Sequence, residues 1–465
     1  MDTLQISYKT TPKLDQEFAP AVMWNRAYKQ LCDDKESKPI AIALYRTDGT
    51  ISVHKTSVLA DSQENLALNV KYVERLVKFL LWQKGGYRVA IGGCEELARA
   101  LGEIYSASGA RAFDYDFMGE KIYGKTMQVD YLPLDQVPAA RETAKELGRN
   151  LDGCRIGFDL GGSDRKCAAL IDGEVVFSKE VEWNPYFESN PQYHIDGIND
   201  SLKLAAEHLP RVDAIGGSAA GVYVNNEVRA ASLFRGIAED DFKKHIRRVF
   251  FDLKERWDDV PFEVVNDGEV TALAGSMSLN DNAVLGISMG TSLAAGYVTP
   301  EGKITPWLNE LAFVPVDYRD NGPVDEWSGD GGCGVQYFSQ QGVARLAPKA
   351  GIELPEDMPL AERLLKVQEL MEQGDQRAAD IFETIGVCFG YTLAHFSEFY
   401  DFRNLLILGR VTSGQGGEII IEKAEQVLAD EFPELSEKIT LRTPDEKSKR
   451  HGQAIAAASL PAIQK

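Results

Sequence analysis

Four short stretches carry the residues that could do chemistry. The first, Arg155 to Ser178, reads R-I-G-F-D-L-G-G-S-D-R-K-C-A-A-L-I-D-G-E-V-V-F-S. Ile156, Phe158 and Leu160 make an apolar strand around one acid, Asp159, and the strand runs into Gly161-Gly162-Ser163. Paired glycines let the backbone approach a ligand with N–H groups facing an anion. An acid just before them suits a hydrated Mg²⁺, which takes one or two protein carboxylates beside phosphate oxygens. A plain hairpin with a solvated Asp accounts for the same letters, since Asp172-Gly173 is a strong hairpin signal. The second stretch, Val264-Val265-Asn266-Asp267-Gly268-Glu269, ends a strand on an Asn-Asp pair, where α/β folds put their chemistry. Asn-Asp-Gly is also a favoured turn. The third, Leu285 to Ser292, runs a strand into Gly290-Thr291, and the fourth, Leu405 to Val411, runs a strand into Gly409-Arg410. Glycine turns for phosphate, an acid for a metal and a carboxylate to take a hydroxyl proton are the parts of phosphoryl transfer.

In this order and at these distances the four stretches resemble the first phosphate motif, catalytic Asn-Asp, second phosphate motif and adenosine motif of the ROK (repressor, ORF, kinase) sugar kinases. That family belongs to the hexokinase/actin/heat-shock-chaperone ATPase superfamily. The resemblance runs from about Asp152 to the C-terminus, two thirds of the chain. It implies an α/β fold of two actin-like (RNase H-like) ATPase lobes and an ATP-dependent phosphorylation of a sugar or sugar-derivative hydroxyl. Asp267 would be the base, and Asp159 would position Mg²⁺ through water. Gly161, Gly162, Ser163, Gly290 and Thr291 would bind phosphate, and Gly409 and Arg410 would border the adenosine. Asn266, Asp267, Glu310 and Ser232 would meet the sugar. The implied partners are a sugar and ATP, and a homodimer is compatible with this reading. The alternative is a nucleotide- or sugar-binding sensor of the same fold that has lost turnover.

Departures from the family pattern sharpen the expectation. Ser292 replaces the third residue of Gly-Thr-Gly, and Arg410 replaces a second glycine. Leu308 to Val316 matches the Gly-Glu-x-Gly-His element, keeping Glu310 but carrying Phe313 for His. Where the family has a zinc knuckle, this chain reads E-W-S-G-D-G-G-C-G-V from Glu326 to Val335, with Cys333 the one thiol left. Structural zinc takes four Cys or His ligands, so no structural zinc is expected. Ser232, Phe313 and Val335 stand where the family has sugar-binding Asn, His and Glu. Each lost polar partner removes about 1–3 kcal/mol of discrimination for a hydroxyl. A smaller, less hydroxylated or differently substituted sugar is implied.

The elements that must position these residues read as three units. Residues 1–150 form a separate N-terminal α/β domain of unknown role, 151–268 lobe I together with a C-terminal helix at 445–465, and 269–444 lobe II. In the first unit, strands Pro39 to Ala43 and Thr50 to Val58 precede a helix, Leu66 to Lys84, that stops at Gly85-Gly86. Strand Arg88 to Ile91 and helix Glu95 to Ser106 follow, then strands within 111–131 and a closing helix from Gln136 to Asn150. In lobe I the spacing predicts helices Asn199 to Leu209 and Asp240 to Asp258. In lobe II it predicts helices Leu360 to Glu372, Asp375 to Phe399 and Glu418 to Glu431.

Composition excludes other classes. The 465 residues are 44% apolar and 26% charged, enough for a sizeable core. Residues 1–150 hold 20 Lys+Arg and 20 Asp+Glu, so the rest of the chain carries the whole net charge of −21. An acidic body repels DNA and anionic membrane, and the neutral N-terminal unit offers no basic recognition helix, so nucleic acid, membrane and a repressor role are not expected. No apolar run reaches membrane-spanning length and the first residues lack signal-peptide features. Six scattered cysteines without a C-x-x-C pair fit a reducing compartment, so a cytoplasmic location is expected.

Overall fold

The computed structural model describes residues 4–142, 147–443 and 446–463. In the N-terminal unit β1 (Ser37–Tyr45) pairs antiparallel with β2 (Ile51–Leu59) and with β3 (Arg88–Gly92), and β4 (Gln128–Leu132) adds parallel to β3. Helix α1 (Ala21–Asp34) precedes the sheet. Helix α2 (Gln63–Lys84) starts where the Ser62 hydroxyl accepts from Asn65 N and stops at Gly85, as the sequence predicts.

Three local expectations fail, each for a physical reason. Residues 112–123 are helical, as Ala112–Asp116 and a π-helical Phe117–Tyr123, because Phe113 and Phe117 at i, i+4 stack on Trp82. The closing helix at 136–150 is not seen in its described part. A 3₁₀ turn ends at Gln136, Pro138 follows, and Arg141 bridges to Ile51 as extended chain. Residues 143–146 of that range lie outside the described residues. The helix at 240–258 is broken into Glu239–Asp241, a π-helical Phe242–Ile246 and Val249–Arg256, since Arg247 O accepts from Val228 N at 3.0 Å.

Lobe I carries β5 (Cys154–Leu160), β6 (Asp164–Ile171), β7 (Glu174–Glu182), β8 (Ala214–Ala219), β9 (Val222–Val224), β10 (Glu227–Ala230) and β11 (Phe262–Asn266). Its main sheet has the order β11-β8-β5-β6-β7, with β5, β8 and β11 parallel, while β9 and β10 form a separate hairpin. Helix α3 (Asp267–Leu279) follows β11 directly. Lobe II contributes β12 (Val284–Met289), β13 (Leu293–Val298), β14 (Asn404–Leu408) and β15 (Thr440–Arg442) in the order β13-β12-β14-β15, with β12 and β14 parallel. Helices α4 (Gln340–Leu346) and α5 (Gln376–Phe396) belong to this lobe. The chain returns through α6 (Glu446–Ala458), whose Ala454 and Ala457 carbonyls lie against Gly157 and Gly216 of lobe I.

The cores show how the units join. Lobe I has its own cluster around Ile156, Phe158, Ile215, Phe250 and Phe262. The N-terminal unit keeps a small cluster around Ala43, Ile51 and Ala90, while Tyr28, Tyr72 and Trp82 share one cluster with Leu285, Phe313, Tyr337 and Phe389 of lobe II. Residues 1–150 thus have a sheet of their own but a hydrophobic interior mostly merged with lobe II. Among the described residues no helix is long and apolar enough to cross a membrane.

Candidate active site

Strand register sets the geometry. Leu160, Ala219 and Asn266 stand level on β5, β8 and β11, so the three parallel strands end together. Gly161 follows the first and Asp267 the last, two strand spacings apart, about 10 Å. On lobe II the parallel strands β12 and β14 end at Met289 and Leu408, which puts Gly290 and Gly409 at matching ends. Helix α3 links the halves. Asn266 is its N-cap, with Oδ1 accepting from Gly268 N at 2.7 Å and Nδ2 donating to Gly221 O at 2.7 Å. The Gly268 backbone lies against Ala295 and Gly296 of β13, whose other end is the Gly290-Thr291 turn.

Four acids form a row across this junction. Asp159 Oδ1 accepts from Ser218 Oγ at 2.6 Å, and burial raises its carboxyl while Ser218 and Lys166 oppose. Asp267 is pushed up to about 6, first by burial and then by Asp159. Glu310 is pushed up to about 7 by burial and by Asp267. Glu269 rises to about 8 through burial, with Glu310 adding to it. Its Oε1 accepts from Asn309 Nδ2 and its Oε2 from Tyr297 N at 3.3 Å. Asp267 and Glu310 keep some surface on the cleft, although protein crowds both. Carboxylates that cannot all ionise, and that sit near neutral pH, are suited to taking up a proton.

The glycine turns divide their N–H groups. Gly161 N donates to Asp164 O and Gly290 N to Ser292 O, each at 2.9 Å, closing the turns. The tip amides of Gly162, Ser163 and Thr291 have no partner among the described residues. Gly162 is pressed under Tyr186, whose hydroxyl would lie 2.1 Å from a Cβ there. Gly409 has φ +105° and abuts Met289 O at 2.4 Å from where a Cβ would sit, so only glycine fits between the end of β14 and the Gly290-Thr291 turn. Arg410 is exposed, and its carbonyl accepts from Gln368 Nε2. Ser232 is exposed at the start of a 3₁₀ turn, with no described contact to the acid row.

No protein-family model and no curated protein matches the sequence. Solved structures do match. The ROK hexokinase from Thermus thermophilus aligns over 66% of this chain and 96% of its own, at 17% identity and TM-score 0.52. A ROK family transcriptional regulator, a homolog of the E. coli MLC protein, aligns over 67% of this chain and 79% of its own, at 18% identity and TM-score 0.53. A putative sugar kinase from Cytophaga hutchinsonii covers 66% of this chain and 98% of its own, at 12% identity and TM-score 0.50. The chain has the ROK, hexokinase-like fold.

The segment from Leu308 to Val335 is organised by aromatic contacts and ion pairs with the N-terminal unit. Phe313 stacks on Trp82 of α2 at 4.2 Å between centroids and faces Trp327 at 5.9 Å. Asp330 is gripped by Lys78 (3.2 Å), Arg75 (3.1 Å) and Arg111 (2.6 Å), while Lys78 also holds Asp114 (3.0 Å) and Arg75 and Arg111 each hold Glu74 (2.6 Å). Three cations meet three acids, nearly all out of solvent. Cys333 Sγ points at this network, 3.8 Å from Asp330 Oδ2, and burial pushes the thiol far up, leaving it a neutral packing group.

The sequence signal missed how the acid row is held. The Glu310 and Asn309 N–H groups donate to the Trp82 and Gln83 carbonyls, two of the orphan acceptors that end α2. The N-terminal unit therefore hangs Glu310 in place, and these partnerships, 228 and 226 residues apart, leave no local trace. Ser218 and Glu269 were also missed. Strand pairing alone reveals Ser218 beside Asp159, whereas Glu269, an acid in the first turn of a helix, has an ordinary explanation there.

Proposed function

We propose that the protein transfers the γ-phosphoryl group of ATP to a hydroxyl of a sugar or sugar derivative. The observation that carries this reading is the level placement of Asp267 and the first glycine turn at the ends of parallel strands, with the second turn and Gly409 on the facing sheet. In this reading Asp267 accepts the hydroxyl proton, and its pKa near 6 keeps it mostly ionised at neutral pH while still basic enough to act. Glu310 and Asn266 border the acceptor, Gly162, Ser163 and Thr291 offer amides to phosphate, and Gly409 leaves room for adenosine with Arg410 at its rim.

Asp159 and Asp267 place two like charges at one end of the sheet, with Lys166 the cation opposing Asp159, and a divalent cation fits that imbalance. Asp159, with Oδ1 tied to Ser218 and Oδ2 uncommitted, is the residue that would hold Mg²⁺, in part through water. Bound there, Mg²⁺ neutralises charge on the phosphate oxygens. Closing the two lobes excludes water that would otherwise take the phosphoryl group.

The test is ADP release from Mg-ATP across a panel of monosaccharides, deoxysugars and amino sugars. Stimulation by at least one acceptor supports the kinase. Nucleotide or sugar binding by calorimetry without product from any acceptor supports the second reading, a non-catalytic sensor, which the displaced Ser232, apolar Val335 and the similarity to a ROK transcriptional regulator favour.

A further inference from the structure

Arg235 is an exposed residue of lobe I whose guanidinium makes no hydrogen bond or ion pair among the described residues. It is not left loose. Its Cζ lies 4.2 Å from the centre of the Tyr186 ring and 5.3 Å from that of Phe187. Such contacts hold a guanidinium by its flat faces and leave the N–H donors on its edge available. They also give a reason for Phe187, whose ring is 76% exposed.

A run of contacts ties this arginine to the first glycine turn. Trp183 clasps the turn, with Nε1 donating to Gly161 O at 2.8 Å and its backbone N donating to Ser163 O at 3.1 Å. Tyr186, three residues on, rests its hydroxyl against Gly162. Tyr186 belongs to the 3₁₀ turn Pro185–Phe187, and Arg235 directly follows the 3₁₀ turn Ser232–Phe234. Fully buried His194 pins the two turns together, its Nε2 lying 3.1 Å from both the Pro185 and the Leu233 carbonyl oxygens. Gly236 lets the second turn close on the first, since a Cβ there would meet Glu188 O at 2.7 Å. Arg235 is therefore held one aromatic ring away from Gly162. The Gly162 and Ser163 N–H groups have no partner among the described residues, but these amides are neutral. Charge at this end of the sheet is acidic: Asp159, Asp164 and Asp267 meet Lys166, which is already paired with Asp164 at 3.4 Å. A phosphoryl group in transfer spreads negative charge over its equatorial oxygens, and a forked guanidinium matches such oxygens.

We infer that Arg235 is a further catalytic residue, donating hydrogen bonds to the oxygens of the phosphoryl group as it moves. The inference rests on the kinase reading. The bond from the γ-phosphorus to the ADP oxygen breaks, the bond to the acceptor oxygen forms, and the acceptor proton passes to Asp267. Arg235 stays protonated throughout and stabilises the charge. Titration calorimetry of the full chain with Mg-AMPPNP and Mg-ADP, which differ by the terminal phosphoryl group, tests it. Arg235→Met weakens AMPPNP binding about tenfold or more and ADP binding less than about twofold, while the melting temperature stays within a few degrees. Arg235→Lys, which keeps the charge and loses the fork, falls between. With an acceptor that stimulates ADP release, kcat of Arg235→Met falls about 100-fold or more. A wild type that binds neither nucleotide refutes the kinase reading and this inference with it. Wild-type binding of AMPPNP that Arg235→Met leaves unchanged, or weakens no more than it weakens ADP binding, overturns this inference alone.

Discussion

Replacing Lys78 with Met removes the cation at the centre of the Asp114–Asp330 network while keeping its length. Lys78 is fully buried, Asp114 is 1% exposed and Asp330 4%. After the change Asp330 retains Arg75 and Arg111, but among the described residues Asp114 retains the Trp82 indole N–H as its one side-chain donor. Removing one partner of a buried pair costs about 3–5 kcal/mol, because the other charge is left uncompensated. Unfolding entropy of about 2.1 cal/mol/K per residue converts about 4 kcal/mol into a melting shift that depends on what unfolds together. For residues 1–150 and 269–444 melting together, about 326 residues, the slope is about 0.7 kcal/mol/K and the shift about 6 °C; for 150 residues melting alone it is about 13 °C. The interior shared by Trp82, Phe313 and Phe389 makes the smaller shift, in one transition with lobe II, the expected result in scanning calorimetry. A Lys78→Met/Asp114→Leu double variant recovers at least half the loss. A shift below 1 °C in the single variant, or no recovery in the double, refutes the reasoning.

Other outcomes follow from the same contacts. Glu269→Gln removes a carboxyl whose folded pKa, about 8, lies well above its unfolded value. Wild-type stability therefore falls between about pH 4.5 and 8, and the variant gains a few kcal/mol relative to wild type above pH 8 but not below pH 4.5, read from urea unfolding. Gly409→Ala drives a Cβ into the Met289 carbonyl at a positive φ; nucleotide affinity drops at least tenfold by calorimetry, and an unchanged affinity contradicts the placement of adenosine there. Phe313→Ala opens the stack on Trp82 and loses about 3–4 kcal/mol by thermal melting, whereas a loss below 1 kcal/mol contradicts that packing.

The parts legible in the sequence are those written locally. Asp159 before Gly161-Gly162, Asn266-Asp267 at a strand end and Gly290 between two strands gave the lobes and their cleft, because period-two strands and glycine turns are short-range signals. The helix from Leu360 to Glu372 was readable to the residue. Residues 112–123 were misread because aromatic-rich segments suit strand and helix alike, and only Trp82 decides between them. The merged core was invisible, since α2 reads as an amphipathic helix whatever it packs on. The ion pairs that hold Asp330 come from positions 75, 78 and 111, and no spacing rule connects them to residue 330.

The most direct test of the central claim is the pH dependence of phosphoryl transfer for the wild type and Asp267→Asn, using whichever acceptor stimulates ADP release. The account predicts a wild-type kcat/KM that rises through an apparent pKa near 6 and then levels. In Asp267→Asn turnover falls at least 100-fold and Mg-ATP binding is retained. Full turnover in Asp267→Asn, with the same pH profile, contradicts it.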